Sequence, residues 1–569
     1  MTFFQTDARL PLIPENLSIP QFFLDSAIHG NPEAPRFIED ATGRIITLPE
    51  IQKRTTSLAN TLSSKYSVGY DDVVLIFSRN HVDYPIVIWA THRLGGIVSG
   101  ANPDYVRDEL VYQLQSSKAV VIFSHPDVFD TAYSAAQVCS IPRERVILFN
   151  VPGSPSAHTK QPTVDDLVRQ GSSHRALYKE PSINAKTKLA FLSFSSGTTG
   201  KPKGVAIPHL SPITNVIQAR VHNKVGENYT SWDDQRYRAG DVAMAVLPFY
   251  HIYGLVLNLH FLFYSGVSIV VVPKFNFEEM LKSIVRHRIN HLMLVPPQAI
   301  LLCKHPSVKN YDLSVIRTLV IGAAPLSHEV NHQLFNLLPN AQIGQAYGMT
   351  ETSTATAWWP IEQKRGTSGC TGKLMPGVKA RIVKPDGSLA GFDEPGELVV
   401  YSPSSALRYI NNEEATKETF VDGWVRTGDE AKIDRNLGLW ILDRIKEIMK
   451  VRGFQVAPAE LEGCILDHPE VSDVCVVGVP DDFSGEVPMA FVVPNQEAAQ
   501  RIKSDPRVAS EIKASVIKHV ADNKVAYKGL SGGVEFVEII PRNPSGKLLR
   551  RVLRDRARAM RESKVKSKL

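Results

Sequence analysis

Cysteine is scarce in this sequence. Only five of its 569 residues are cysteine, and they are widely separated, at Cys139, Cys303, Cys370, Cys464 and Cys475. The count is odd and no two of them form a Cys-x-x-Cys pair, which argues against a disulfide framework and against a zinc site. The pattern is typical of a protein that folds in a reducing compartment.

An uninterrupted hydrophobic run long enough to span a membrane is also missing. The most apolar segment, residues 254–272, contains Asn258 and His260 and is broken by the pair Ser265-Gly266. Its second half is rich in β-branched residues, so we expect a buried helix, a turn and a core strand rather than a membrane span. The first residues lack a basic start followed by an apolar run, and no signal peptide is predicted.

A strong charge is missing from most of the chain. The formal net charge is +6, but residues 541–568 alone contain eleven Lys or Arg and two acidic residues, which leaves −3 for the rest. Such a basic tail could bind nucleic acid or a phosphate-rich ligand, but a solvated helix face is the commoner interpretation. We therefore expect no nucleic-acid partner.

The sequence does contain a regular alternation of short apolar runs and longer mixed segments. The runs predicted to be buried parallel strands are residues 73–78, 119–124, 241–248, 267–273 and 291–297. The segments between them, such as 277–288, are long enough for helical crossovers, which is typical of α/β architecture. Shorter alternating strands with Asp-Gly turns predict a small β unit near residues 378–401.

A second change of pattern marks a domain boundary. Near residue 443 a predicted strand leads into a charged turn, and the segment that follows is long enough for a small α+β domain. We predict that residues 1–442 form an N-terminal domain, which consists of α/β subdomains and a small β unit. Residues 443–446 are predicted to be a hinge. Residues 447–569 are predicted to form a smaller, mobile C-terminal α+β domain.

A glycine-rich segment follows an apolar run at residues 193–204, with the sequence SFSSGTTGKPKG. A Walker-type P-loop is disfavoured, because Pro202 follows Gly200-Lys201 where that loop needs Ser or Thr. Glycine still allows backbone N–H groups to approach phosphate oxygens, and the hydroxyl groups and Lys203 add further donors. Alone, the segment is equally consistent with a phosphate cradle and with a plain surface loop.

Four further segments accompany SSGTTGKPKG. They are QAYGMTET at 345–352, GWVRTGD at 423–429, DRIKEIMKVRGFQVAPAELE at 443–462 and NPSGKLLR at 543–550. In order and spacing the set resembles the adenylate-forming superfamily, above all the 4-coumarate–CoA ligases and the fungal aryl- and acyl-CoA ligases. The resemblance spans most of the chain. It implies a ligase that converts a carboxylic acid and ATP into an acyl-adenylate and pyrophosphate, and then forms a CoA thioester and AMP.

The resemblance also implies an ATP site. Asp429 resembles the carboxylate that holds both ribose hydroxyls, Arg444 an arginine that contacts ribose, and Tyr347 an aromatic residue that stacks on adenine. Glu351 is the implied Mg²⁺ ligand, since Mg²⁺ is typically held by one or two carboxylates beside phosphate oxygens and water. The residues implied to bind ATP or AMP are Ser195, Ser196, Gly197, Thr198, Thr199, Gly200, Lys203, Gln345, Ala346, Tyr347, Thr350, Asp429 and Arg444.

Catalysis is implied to involve two states of the C-terminal domain, related by rotation about a hinge at Lys446. Lys547 resembles the lysine that offsets charge between the acid and the α-phosphate during adenylation; the alternative is one more cation of the basic tail. His251 resembles a histidine near the carboxylate and the CoA tunnel, or is a buried structural histidine. The residues implied to act in the second step are Lys450 and Gln455 in catalysis and Lys274, Arg452 and Gly453 in CoA binding.

The implied acid pocket consists mostly of small residues, which leave room for an aromatic ring or an acyl chain. Its members are Tyr250, Tyr253, Gly322, Ala323, Ala346, Thr354 and Ala355. Ala346 departs from the family pattern, which usually has glycine there, and narrows that wall. Cinnamate-type, phenylacetate-type and medium-chain fatty acids all remain open as substrates.

The last three residues, Ser567-Lys568-Leu569, match a peroxisomal address that an import receptor reads. We therefore expect a peroxisomal protein. Two other functions remain open: a luciferase-like oxygenase of an acyl-adenylate, and a non-catalytic adenylate-binding sensor. The sensor is disfavoured because Lys547 and Lys450 are both present.

Overall fold

The computed structural model describes most of the chain. The described residues are 3–26, 31–153, 161–172, 176–195 and 202–566, except 325, 327, 446, 453, 482–483, 543–545 and 547. The side chains of residues 455 and 561–566 are also outside the description.

The N-terminal part of the chain alternates strands and helices. Its strands are β1 Phe4–Gln5, β2 Phe37–Glu39, β3 Ile45–Ile46, β4 Val73–Phe77, β5 Ile97–Ala101, β6 Ala119–Ser124, β7 Val146–Leu148, β8 Leu189–Ser195, β9 Lys203–Pro208, β10 Val242–Ala245, β11 Ser268–Val271, β12 His291–Leu294, β13 Thr318–Ile321, β14 Gln342–Met349, β15 Thr354–Trp358, β16 Lys373–Leu374, β17 Lys379–Val383, β18 Gly396–Tyr401, β19 Arg408–Tyr409, β20 Phe420–Val421, β21 Trp424–Ile433 and β22 Leu439–Arg444. Its helices are α1 Leu48–Tyr66, α2 Tyr84–Arg93, α3 Arg107–Ser117, α4 Phe129–Val138, α5 Val164–Gln170, α6 Leu210–His222, α7 Leu262–Tyr264, α8 Phe277–His287, α9 Pro296–Lys304, α10 His328–Leu337 and α11 Glu413–Thr419, with π-helical segments at Gln21–Asp25 and Gly254–Phe261.

Two mainly parallel sheets organise this part. The first has seven strands in the order β19-β9-β8-β5-β4-β6-β7, and the second has nine in the order β16-β15-β14-β13-β12-β10-β11-β2-β3. The five runs predicted as buried parallel strands contain β4, β6, β10, β11 and β12, and each of these pairs with parallel neighbours. The predicted α/β class is confirmed.

The apolar segment 254–272 forms the predicted succession of elements. The π-helical segment Gly254–Phe261 is buried throughout and continues into α7, and β11 follows after a turn at Gly266. Among the described residues, none of the helices has both the length and the hydropathy needed to cross a bilayer.

Helix α8 illustrates how the crossovers cover the second sheet. The Asn276 side chain caps the helix by accepting a hydrogen bond from Glu279 N at 3.1 Å. Its buried side chains include Phe277, Met280 and Ile284, which recur at helical spacing and therefore form one apolar face.

A third sheet is antiparallel and larger than the predicted β unit. It contains β17 and β18, as predicted, but also β1, β20, β21 and β22. Its last strand ends at Arg444, within the range 443–446 predicted as the hinge. Arg444 is therefore held in the sheet of the N-terminal part. The hinge stays a prediction, and Lys446 lies outside the described residues.

The C-terminal part contains a sheet and core of its own. Its strands are β23 Met449–Val451, β24 Phe454–Val456, β25 Val471–Asp481, β26 Gly485–Pro494 and β27 Gly533–Phe536, and its helices are α12 Pro458–Leu466, α13 Gln496–Ser504, α14 Arg507–Asn523 and α15 Arg550–Lys566. Two apolar clusters, distinct from those of the N-terminal part, occupy the two faces of this five-stranded sheet. The basic tail is only partly a solvated helix face, because Arg550 forms ion pairs with Glu447 and Glu462 and its side chain is only 11% exposed.

Candidate active site

The carboxyl ends of several parallel strands face one cavity of about 960 Å³. Its walls come from residues at or directly after the ends of β5, β8, β13 and β14, from the loop after β10, and from β18 and β21 of the antiparallel sheet. Ligands of open α/β sheets typically bind outside the carboxyl ends of the strands. The cavity is therefore the candidate active site.

Asp429 is the buried centre of a hydrogen-bonded group at this cavity, in which its partners Tyr347 and Arg444 line the wall and Asp429 itself does not. Its carboxylate accepts a hydrogen bond from the Tyr347 hydroxyl at 2.6 Å, and Arg444 Nε lies 3.0 Å from its other oxygen. Asp429 and Arg444 are register partners on β21 and β22, and Asp429 is only 5% exposed. Burial, and then the negative charge of Asp429, raise the pKa of Tyr347, so that its hydroxyl stays protonated and donates. Three residues implied to bind ATP are thus brought together.

Glu351 occupies a second polar position on the cavity wall. Its Oε1 accepts a hydrogen bond from the Tyr409 hydroxyl at 2.6 Å, and Lys203 Nζ lies 5.1 Å from the centre of the Tyr409 ring. Burial, and then the charge of Glu351, raise the pKa of Tyr409. Tyr409 therefore links the implied metal ligand to the implied phosphate-binding lysine, through a hydrogen bond on one side and a cation–π contact on the other.

The described residues on both sides of the glycine-rich segment line this cavity. Ser195 ends β8, Lys203 begins β9, and the two are register partners that both line the cavity. Residues 196–201 between them, including the predicted phosphate-binding residues Ser196, Gly197, Thr198, Thr199 and Gly200, lie outside the described residues. The chain nevertheless enters this segment from the cavity wall at Ser195 and leaves it at the cavity wall at Pro202.

The residues of the implied acid pocket all line the same cavity, together with His251 and Thr350. They are Tyr250, Tyr253, Gly322, Ala323, Ala346, Thr354 and Ala355. A Cβ atom at Gly322 would lie 3.3 Å from both Ala346 O and the Tyr253 ring. Glycine thus lets the end of β13 approach the Tyr253 ring closely.

Two wall residues adopt unusual backbone conformations. Ala323 has a φ angle of 73° and Thr354 one of 106°. Such conformations cost about 1–3 kcal/mol each and are uncommon for non-glycine residues, especially β-branched ones. The Thr354 hydroxyl donates to Ile252 O at 3.0 Å, which helps to hold its backbone in this position. The packing around the cavity therefore fixes the shape of this wall.

Gly100, at the end of β5, allows a close approach of two segments at the cavity. A Cβ atom there would lie 2.9 Å from both Cα and Cβ of Tyr250 and 3.0 Å from the Tyr84 hydroxyl. The Tyr84 ring is fully buried, so it has little room to move aside. Tyr250 can therefore take its position only because residue 100 has no side chain.

We expect Gly100→Ala to displace Tyr250 and to destabilise the fold by about 1–3 kcal/mol, the usual cost of overpacking. The KM for the acid should rise while the KM for ATP changes little, because Tyr250 lies in the implied acid pocket. Thermal unfolding and the two KM values measure these effects. Gly391→Ala offers a control for the loss of a glycine, since a Cβ atom at this exposed residue would meet only the Glu394 carboxyl group, at 3.6 Å from Oε2. Equal changes in both KM values would contradict the assignment of Tyr250 to the acid.

The C-terminal part also reaches the cavity. Arg542 and Leu549 line it, and a Cβ atom at Gly546 would lie 2.8 Å from Val295 Cγ2 of the N-terminal part. Lys547, the residue after Gly546, lies outside the described residues. Of its neighbours in the chain, Gly546 therefore lies against Val295, and Leu549 lies at the cavity wall, in this domain orientation.

Other predicted residues are not brought to the cavity. Within the described part of the chain, Lys274 is exposed after β11, and Lys450 and Arg452 are exposed on the β23–β24 hairpin. Gln345 is buried in β14, and its side chain is not part of the cavity wall as far as the structure describes it. Gly453 and the side chain of Gln455, both predicted for the second step, are outside the description.

Several cavity residues were not predicted from the sequence, and Gly100, Tyr409 and Arg542 are the ones with the clearest contacts. Gly100 and Tyr409 belong to none of the five motifs, and no short-range pattern marks either of them. Arg542 belongs to the basic tail, and its position directly before NPSGKLLR is the one sequence feature that could have indicated a place at the site. Its contacts with Asp473 and Gly546 depend on the tertiary structure.

Residues 24–410 match the AMP-binding enzyme family, and residues 460–547 match the AMP-binding enzyme C-terminal domain. The chain is 34% identical to 4-coumarate–CoA ligase 2 of Oryza sativa subsp. japonica, over 95% of this chain and 93% of the relative. It is 35% identical to the acyl-CoA ligase AFT1-1 of Alternaria alternata, over 98% and 97% of the two chains.

A solved structure also has this fold. ATP-bound MatB from Rhodopseudomonas palustris superposes with a TM-score of 0.79 at 25% identity, over 95% of this chain and 98% of that one. The fold, the cavity with its grouped motif residues, and these similarities agree with one another. The chain belongs to the AMP-binding enzyme family, as an AMP-forming acyl- or aryl-CoA ligase that uses ATP and CoA.

Proposed function

We propose that this ligase activates an aryl acid of the cinnamate or phenylacetate type, or a medium-chain fatty acid. One observation carries the proposal: a single cavity joins the Tyr347–Asp429–Arg444 group to a wall of small and aromatic residues. The polar group suits the nucleoside of ATP. The wall suits the ring or chain of an acid whose carboxylate points toward the phosphates.

The chemistry has two balanced steps. A carboxylate oxygen of the acid attacks the α-phosphorus of ATP, the bond to the bridging oxygen breaks, and pyrophosphate leaves with that electron pair. The CoA sulfur, having lost its proton, then attacks the acyl carbon. The bond from that carbon to the phosphate oxygen breaks, and AMP leaves.

Mg²⁺ fits the residues at Glu351. Among the described residues, no three His, Cys, Asp or Glu side chains come together as a protein metal cage, whereas Glu351 offers one buried carboxylate on the cavity wall. Mg²⁺ commonly uses one or two carboxylates and takes its other ligands from phosphate and water. When bound, it would neutralise phosphate charge, while Tyr409 orients the Glu351 carboxylate and Lys203 adds a cation nearby.

We assign the two steps to two orientations of the C-terminal domain. In the orientation described here Gly546 contacts Val295, which supports Lys547 as the residue that offsets charge during adenylation. Lys450, Arg452 and the β23–β24 hairpin lie away from the cavity and would act, with Gly453 and Gln455, only after rotation about the hinge. His251 is proposed to lie near the acid carboxylate and the CoA tunnel, and Lys274 is proposed to bind CoA.

Incubation of the purified enzyme with a panel of acids tests the proposed substrate class. The panel should contain cinnamates, phenylacetates and C6 to C12 fatty acids, each with ATP, Mg²⁺ and CoA, and AMP release and thioester are measured. Thioester that forms equally with and without oxygen supports the ligase and excludes a luciferase-like product. Pyrophosphate exchange without any thioester would contradict the proposal, and the absence of exchange would favour a sensor.

Peroxisomal import through Ser567-Lys568-Leu569 is a further proposal, resting on the sequence alone. Deletion of these three residues should leave a fluorescent fusion of the protein outside peroxisomes. Retention of the fusion in peroxisomes would contradict it.

The Ala346 side chain is expected to limit the size of the acid. Ala346→Gly should raise kcat/KM for bulky acids relative to slender ones, because it removes a methyl group from the cavity wall. One methylene group in an apolar pocket discriminates by about 1–3 kcal/mol, so a shift of about 10–200-fold is the upper range. The ratio of kcat/KM for a substituted cinnamate to that for hexanoate measures this shift. An unchanged ratio would remove Ala346 from the acid pocket.

A further inference from the structure

Helix α9 of the N-terminal domain contacts the C-terminal domain at both ends. At its start, a Cβ atom at Gly546 would lie 2.8 Å from Val295 Cγ2. At its end, Lys304 Nζ donates hydrogen bonds to Leu466 O at 3.4 Å and Val471 O at 3.1 Å. The nine residues of α9 span about 13 Å, so two separated contacts fix the orientation of the C-terminal domain on this helix.

The second contact consists of two carbonyl groups, of Leu466 and Val471, that suit a cation. Leu466 is the last residue of α12, and the carbonyl groups of the last helical turn have no partner within the helix. The helix dipole also gives this end a partial negative charge, which favours a lysine ammonium. Lys304 is partly exposed, so its contact can break without stranding a buried charge.

Hydrogen bonds connect this contact to the residue before Lys547. Val471 begins β25, and Asp473 of the same strand accepts a hydrogen bond from Arg542 Nη2 at 2.7 Å. Arg542 Nη1 in turn donates to Gly546 O at 3.0 Å. The position of β25 against α9 is therefore transmitted to Gly546 through charge-assisted hydrogen bonds.

We propose that Lys304 is a positioning residue for adenylation, which latches the C-terminal domain in the orientation that presents Lys547 to the cavity. The two carbonyl groups and the ammonium group belong to different domains, so rotation about the hinge separates them. The latch therefore stabilises the first orientation alone and opposes the change to the second. This inference rests on the proposed division of the two steps between two orientations.

Lys304→Met tests the latch, since methionine keeps much of the side-chain length but removes the ammonium group. Acyl-adenylate formation should fall about tenfold, the loss expected for one charge-assisted hydrogen bond. Thioester formation from preformed acyl-adenylate and CoA, measured in a single turnover, should be unchanged or faster. Lys304→Arg should restore much of the first step. The control Lys309→Met, at an exposed lysine of the short 3₁₀ helix Pro306–Asn310, should change neither step.

Ionic strength provides a readout that a general structural defect would not move. Salt screens a partly exposed charge, so the gap in adenylation rate between the wild type and Lys304→Met should narrow as salt rises. An equal loss in both half-reactions, no loss in either, or the same split in Lys309→Met would overturn the latch. A wild-type enzyme that forms adenylate but no CoA thioester would instead contradict the proposed function, and the latch with it.

Discussion

Lys547→Ala is expected to lower acyl-adenylate formation by about 10²–10³-fold. A lysine that offsets charge at the α-phosphate acts only as that charge develops, and removal of one such transition-state donor costs about 2.7–4 kcal/mol. Gly546, directly before it in the chain, lies against Val295 of the N-terminal part, and Leu549, two residues after it, lines the cavity, which supports Lys547 as that donor. Pyrophosphate exchange measures the first step, and a single turnover of preformed acyl-adenylate with CoA measures the second.

The second step should be largely intact in this variant. Arg551→Ala is the matched control, because Arg551 is an exposed cation of the same basic segment on α15. It should leave both steps near the wild-type rate. Damage of equal size to both half-reactions would contradict the role of Lys547, and a similar loss in Arg551→Ala would point to the charge of the whole tail.

Asp429→Ala is expected to weaken ATP binding by about 10²-fold. Hydrogen bonds to a charged group are worth about 1.5–3 kcal/mol each, and this carboxylate is implied to hold the ribose hydroxyls. The substitution also removes the partner of the Tyr347 hydroxyl and of Arg444, so both lose their fixed positions. The dissociation constant of ATP, measured by calorimetry, reports the effect directly.

Two related variants separate this role from general damage. Asp429→Asn keeps one acceptor oxygen and should lose less affinity than Asp429→Ala. Glu430→Ala removes the next carboxylate of β21, which points to the opposite face of the strand, and should leave ATP affinity unchanged. An Asp429→Ala enzyme that folds and binds ATP normally would show that the nucleoside does not reach this carboxylate.

The elements that the sequence predicted best are those in which local pattern and burial agree. Strands such as β4 and β6 are continuous apolar runs because helices cover both faces of a parallel sheet. The positions of Tyr347, Glu351 and Asp429 followed from motifs. Each motif falls at a strand end or in an adjoining strand, so Tyr347 and Glu351 line one cavity and Asp429 is hydrogen-bonded to Tyr347 of its wall.

Contacts between distant segments could not be predicted in this way. Tyr409 reaches Glu351 across 58 residues of sequence, and no periodicity connects the two. The basic tail was interpreted as a solvated face from its composition, yet Arg550 is held by two carboxylates in the C-terminal core. Composition gives the number of charges in a segment, whereas the partners of those charges depend on the tertiary fold.

Because Asp429 of β21 pairs with Arg444 of β22, the number of residues in the turn between these two strands is fixed. The turn before β22 is held by Asp434, whose carboxylate accepts hydrogen bonds from Asn436 N, Gly438 N and Trp440 Nε1. Side chains alternate between the two faces of a strand, so one inserted or deleted residue in this turn would exchange the faces of β22. After an insertion, Asp443 would occupy the place of Arg444, with a negative charge facing Asp429; after a deletion, the uncharged Ile445 would occupy it. Insertions should accordingly be tolerated at the exposed turn 385–388 of the same sheet and rejected at 434–438.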